Sequence, residues 1–394
     1  MKKIFICIIW FYWVTAVFVP FVYVLVGGYS TDFIFGSGLD GIDFNYKCEA
    51  FVLLTIVTCI ITFFICLLAK KKQMVPIVCN DNYFEIFTII FMVSIIKIGG
   101  GNISKFQTAN LNGQLIGGLY NYLSFFFDVM TLFVIKFFSE SKTRVFGIFL
   151  FIVYSLFIGS RAGIMYVILF ELCYIMLGYG KRSKQLKSIM LFILIAPFAF
   201  LISSVLRGVS FDSFKYLVDS IIARCSVLEI LGRVFRAIHT QDYEVDLFTD
   251  KYSFIHQLQL IVNSVFPGSI FPDDMMPNTY YRAIFSNYSI SFVQDNYMSI
   301  NITPLGYFSM KYSIIIGVIF NILLVLILFS FCERNRNSLF CRVIAIMGLW
   351  EILYFFDWNM IFIRFFKIAL TVFLYKMYIK VKEKSKYFIR YNYN

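Results

Sequence analysis

A succession of long apolar runs, separated by short loops rich in lysine and arginine, constrains this chain more than any other feature. A soluble core cannot absorb so many of them, and a bilayer is the solvent that can. Composition agrees: 60% of the residues are hydrophobic and 15% charged, where a soluble globule carries about 25% charged residues. The runs are continuous rather than alternating, so they carry no β-barrel signal. The net charge of +12 invites a nucleic-acid partner. The positive charges, however, sit mostly in short loops and at both ends, where they orient a membrane protein, so no nucleic acid is expected.

The expected fold class is an all-α polytopic membrane protein of about ten transmembrane helices. The helices are placed at 4–26, 48–69, 83–98, 118–138, 145–158, 162–178, 188–206, 312–332, 340–357 and 359–379. The first is taken as a retained helix rather than a signal peptide, being too long for an h-region and lacking an A-x-A-like site. With the N-terminus inside, the Lys70–Lys72 triplet, the 139–144 link, the 181–187 run, the 334–342 link and the tail all fall on the cytoplasmic side. Both termini are then cytoplasmic. The segments are 1–206 with helices one to seven, a large outer loop over 207–311, helices eight to ten over 312–379, and a basic tail over 380–394. No internal repeat supports a transporter built from inverted halves.

The outer loop is aromatic and aliphatic, without a Gly/Ser tract. Over 217–239, Val227, Leu231, Val234, Phe235 and Ile238 recur at helical spacing. Glu229, Arg233 and Arg236 fall on the opposite side, so the helix should lie in the membrane interface or cap the bundle. Among its basic residues up to Met310 the loop favours arginine: Arg207, Arg224, Arg233, Arg236 and Arg282 against Lys215 and Lys251, with Arg161 added by a tight outer turn. Topology does not require arginines outside. A planar guanidinium grips phosphate in a two-pronged way that lysine cannot. The bland alternative is pairing with the loop's own acidic residues.

Both histidines of the chain, His239 and His256, lie in this loop and suit proton transfer near neutral pH. Each alone has a packing or surface explanation. Glu229, Asp273 and Asp274 are competing bases. Asp242, Glu244 and Asp246 read as a solvated acidic turn rather than a cation chelate. No CxxC pair or metal-type cluster occurs, so no metal or other cofactor is expected. Cys48 and Cys225, on the outer side, could form a bridge but read rather as two separate, partly buried thiols. Asp128, Glu171, Glu351 and Arg364 fall within apolar runs, where charge is costly unless paired. Glu351 and Arg364 are candidate partners; Asp128 and Glu171 have none assigned.

Three stretches carry a family resemblance: the Gly159-Ser160-Arg161 turn before a helix, the proline-punctuated run from Val265-Phe266-Pro267-Gly268 to Pro272-Asp273-Asp274, and Thr303-Pro304-Leu305-Gly306-Tyr307-Phe308 at the loop's end. With the helix count and the late outer loop, the chain resembles the bacterial O-antigen and oligosaccharide repeat-unit polymerases of the Wzy type. Many relatives place an acidic residue after that last glycine. Here it is Tyr307, so no acidic role is assigned to it.

The resemblance implies a membrane-embedded glycosyltransferase in the bacterial inner membrane. Its donor is a growing glycan on undecaprenyl pyrophosphate, and its acceptor one repeat unit on the same carrier. A chain-length regulator protein and membrane lipid are the implied partners. Arg161, Arg207, Arg233, Arg236 and Arg282 would hold the leaving pyrophosphate. His239 is the leading base, with Glu229 and His256 behind it. Tyr280, Tyr281, Asp273 and Asp274 would meet the sugars. The rival readings are an O-antigen ligase, a flippase or exporter, and a metal-using lipid-phosphate-sugar transferase with Asp40 and Asp43 as its acidic pair.

Overall fold

The computed structural model describes residues 1–28, 43–69, 141–157, 161–176, 226–240, 303–335 and 339–354, with isolated positions at 132, 135, 136, 215, 218, 219, 222, 259 and 377. Every regular element among them is helical. Three helical stretches, Lys2–Leu25, Phe44–Leu68 and Ile314–Arg334, are long and apolar enough to cross a membrane. The chain splits into two compact units, one joining Met1–Met74 with Ser210–Ile361, the other Val75–Val209 with Phe362–Asn394. The segments read from the sequence follow chain order, whereas compactness groups distant stretches.

In the first unit, α1 (Lys2–Tyr12) runs through a π-helical turn (Trp13–Phe18) into α2 (Val19–Leu25). The sequence reads as one uninterrupted helix there, and the π turn is new. It lies just before Pro20, whose ring nitrogen cannot donate to the carbonyl four residues back. α3 (Phe44–Leu68) begins four residues earlier than the expected 48, which brings Lys47 out of the loop and into the helix. Its N-terminal half pairs antiparallel with the first span: Trp13 Nε1 donates to Thr55 Oγ1 at 3.1 Å, and the Phe21 ring stacks on Phe51 at 4.1 Å.

In chain order, the second unit comes next. α4 (Ser141–Phe157) and α5 (Arg161–Met176) pack together. Glu171, which the sequence left without a partner, pairs with Lys136, and both are buried. Arg144 donates to the Tyr174 hydroxyl at 2.5 Å. Asp128 and Arg364 lie outside the described residues.

Back in the first unit, α6 (Leu228–Thr240) packs on α3 and on the short α7 (Pro304–Lys311), which leads into α8 (Ile314–Arg334) and α9 (Leu339–Tyr354). The Thr303-Pro304-Leu305-Gly306 stretch, read as a loop end, is the start of α7. Thr303 caps it by accepting from the Gly306 N–H, and Pro304 takes a first-turn position where a missing donor costs nothing. α8 runs antiparallel to the first span, with Phe5 edge-on to Phe329 and the N-terminal amine 3.8 Å from Glu333. α9 runs parallel to it, with Phe11 against Trp350 and Thr15 hydrogen-bonded to the Tyr354 hydroxyl.

The sidedness of α8 inverts the soluble pattern. Gly317, Asn321, Val325, Phe329 and Cys332 face inward, while Ile315, Ile319, Leu323 and Ile327 are exposed at a spacing of four. Large apolar side chains outside, with Gly317 and the polar Asn321 inside, suit a lipid-facing helix, for which lipid is no worse a neighbour than protein.

Candidate functional site

The site is built where α6 meets the N-terminal turns of α3. α6 enters from the bundle's interior. Ser226, Val227 and Leu228 are buried, and the Val227 amide donates to the Ala16 carbonyl at 3.0 Å. Nearby, Tyr23 donates from its hydroxyl to Asp219 at 2.5 Å. Together these contacts seat the approach to α6 along the first span. The expected helix over 217–239 is thus divided: helical positions occur at 215, 218, 219 and 222, and α6 starts afresh after Val227.

The apolar face of α6 falls as the periodicity predicts, with Val227, Leu231, Val234 and Phe235 buried. The polar face does not. Glu229 and Arg233 were expected on an interfacial or solvent side and are buried as well. The correction has a physical cause. Lys47 reaches in from α3 to within 3.0 Å of Glu229, and Arg233, one turn on, lies 3.6 Å from its other oxygen. Paired charges can be enclosed where a single one could not. Burial pulls the Arg233 guanidinium below its ordinary pKa; Glu229 opposes that shift and Arg236 adds to it.

Exposure then rises along α6. Arg236, Ala237 and Ile238 are partly exposed, and His239 and Thr240 emerge. His239 Nε2 lies 3.2 Å from the Glu49 carboxylate, with the two side chains 48% and 40% exposed. The Tyr46 ring stacks beside the imidazole, with centroids 5.9 Å apart and planes inclined by 23°. One turn of α3 therefore serves two places. Lys47 turns inward to Glu229, while Tyr46 and Glu49 turn toward His239.

These contacts sort the expected residues. The Glu229 side chain has no solvent exposure and already faces two cations. A base must reach the proton it takes, and of Glu229 and His239 only His239 is open to do so. Arg233 is committed to Glu229, which leaves Arg236 as the partly exposed arginine of α6. Arg161 is the first residue of α5, in the second unit. His256, Arg207, Arg224, Arg282, Tyr280, Tyr281, Asp273 and Asp274 lie outside the described residues, as does the Asp242–Asp246 turn. Cys48 is a free thiol, and Cys225 is also outside.

Sequence reasoning missed Tyr46, Lys47 and Glu49. The available signal was a mixed-charge stretch, Lys47 and Glu49 around a single cysteine, at the boundary of an apolar run. Among the described residues no group of three or more His, Cys, Asp or Glu is placed to hold a metal ion. Compared with protein-family models, with curated proteins and with solved structures, the chain matches none.

Proposed function

We propose that this protein is a glycosyltransferase of the bacterial inner membrane that polymerises undecaprenyl-pyrophosphate-linked oligosaccharide repeat units into a surface polysaccharide. It spans the membrane ten times with both termini inside. The directions of four helices agree with that count, as they would with any odd number of spans between the second and the eighth. The first and ninth helices run one way and the second and eighth the other, as five intervening spans require.

The observation that carries the reading is the accessible His239 near the end of α6, beyond the buried Glu229 and Arg233 and three residues after the partly exposed Arg236. In the proposed reaction an acceptor hydroxyl attacks the anomeric carbon of the donor glycan. His239 takes its proton, and the bond from that carbon to the pyrophosphate oxygen breaks. Arginine stabilises the charge that the leaving pyrophosphate gains.

The test is a gel of surface glycan from a deletion strain beside its parent. Loss of long chains, with core carrying a single repeat unit retained, is the expected result. Bare core alone would move the assignment to a ligase, a flippase or an earlier transferase. An unchanged ladder would overturn the reading.

A further inference from the structure

We propose that Glu49 is a positioning residue for His239, a role that rests on the polymerase reading above. The geometry is an Nε2-to-carboxylate contact of 3.2 Å between side chains 190 residues apart in sequence. A carboxylate can only accept, so Nε2 carries the proton and Nδ1 is left as the open, basic nitrogen. Tyr46, one helical turn before Glu49, flanks the ring and limits its rotation. Tyr46 and Glu49 are both on α3, so a single rigid helix sets the imidazole's tautomer and its plane.

A half-exposed contact between an imidazole and a carboxylate contributes little to stability. Its consequence here is orientation. When the acceptor hydroxyl attacks, its proton passes to Nδ1 as the new carbon–oxygen bond forms, and the pyrophosphate departs with the electron pair of the broken bond. The imidazolium so formed stays paired with Glu49 and then releases its proton to water. Losing the carboxylate leaves the base present but unaligned, and a misaligned general base forfeits much of a contribution that is typically about a hundredfold or more.

Two readouts on the full-length protein in lipid nanodiscs test this. The chain has two histidines, so [15N]histidine labelling with His256→Gln leaves His239 as the one imidazole signal. The parent should show an Nε2-bound proton shifted downfield by its carboxylate acceptor, and Glu49→Ala should move it back upfield. The second readout uses lipid-linked repeat unit extracted from the deletion strain. Glu49→Ala should lower kcat about tenfold to a hundredfold with KM within about twofold, and Glu49→Gln, which keeps an acceptor oxygen, should recover part of the loss. An Nε2 proton signal identical in parent and Glu49→Ala, or an unchanged kcat, overturns the proposal. Failure of the parent itself to extend the lipid-linked unit would overturn the polymerase reading instead; the Nε2 proton would then decide alone whether Glu49 holds the ring.

Discussion

The backbone N–H of Val227 donates to the Ala16 carbonyl at 3.0 Å, and Pro20, four residues beyond Ala16, has no N–H to give that carbonyl. A proline inside an apolar span is tolerated when a neighbouring element supplies the missing partner. Here the donor comes from the residue that opens α6. The surrounding π turn spreads its contacts, with Trp13 reaching Thr55 of α3 and Thr15 reaching Tyr354 of α9. This turn thus fixes where α6 starts and, through α6, where Glu229 and His239 stand.

Val227→Pro removes the donor and should destabilise the protein by about 1–3 kcal/mol, the usual cost of a buried carbonyl left short of a partner. Pro20→Ala restores a donor within the first span. In the Pro20→Ala background, Val227→Pro should therefore cost measurably less. Thermal unfolding in detergent of the two single variants and the double variant reads this coupling. Strict additivity would mean that the Val227–Ala16 bond does not compensate for Pro20.

Gly317 lets α7 close onto α8. A Cβ there would stand 2.8 Å from the Leu305 carbonyl oxygen and 2.8 Å from the Ser309 backbone nitrogen, with the Ser309 hydroxyl nearer still. Backbone atoms cannot step aside as a side chain can. Gly317→Ala should cost about 1–3 kcal/mol, as overpacking does. At Gly147, where the first three neighbours are all Ile135 side-chain atoms, the same change should cost less. Comparing the melting temperatures of the two variants checks the contrast.

What the sequence conveyed was what periodicity and hydropathy encode locally. The apolar spans and the Val227, Leu231, Val234, Phe235 stripe are set by residues within a few turns of one another. The enclosure of Glu229 and Arg233 was not legible, because it depends on Lys47, nearly half the chain away. By itself α6 is amphipathic, and its charged side reads as solvated. The π turn escaped for a similar reason: Pro20 is visible, but the Val227 amide that answers it is not. His239 was legible as a candidate base by residue type alone, while its Glu49 partner required the packing of α3 on α6.

Glu229 is a candidate base by residue type, and its burial makes a structural role the testable alternative. Removing one member of a buried ionic group strands the rest, at a typical cost of about 3–5 kcal/mol. Glu229→Gln should therefore reduce the yield of folded, membrane-inserted protein. Lys47→Met should do much the same alone, and should add little in the Glu229→Gln background, since contacting residues are not additive. Full expression and stability of Glu229→Gln together with lost polymer would mean that Glu229 acts in catalysis.

His239 should behave in the opposite way. Its side chain is 48% exposed, so His239→Gln removes little buried area and should leave inserted protein and its melting temperature close to the parent's. A general base typically contributes about 10²–10⁴-fold to rate, so polymer yield from the variant should collapse while the lipid-linked repeat unit accumulates. Arg236→Ala separates proton transfer from leaving-group stabilisation. It removes the partly exposed guanidinium three residues before His239 and keeps the imidazole and its Glu49 contact. If Arg236 holds pyrophosphate, a donor with a better leaving group than the native lipid pyrophosphate should recover activity in Arg236→Ala but not in His239→Gln. Equal recovery in both variants, or in neither, would mean that the two residues do not divide the reaction in this way.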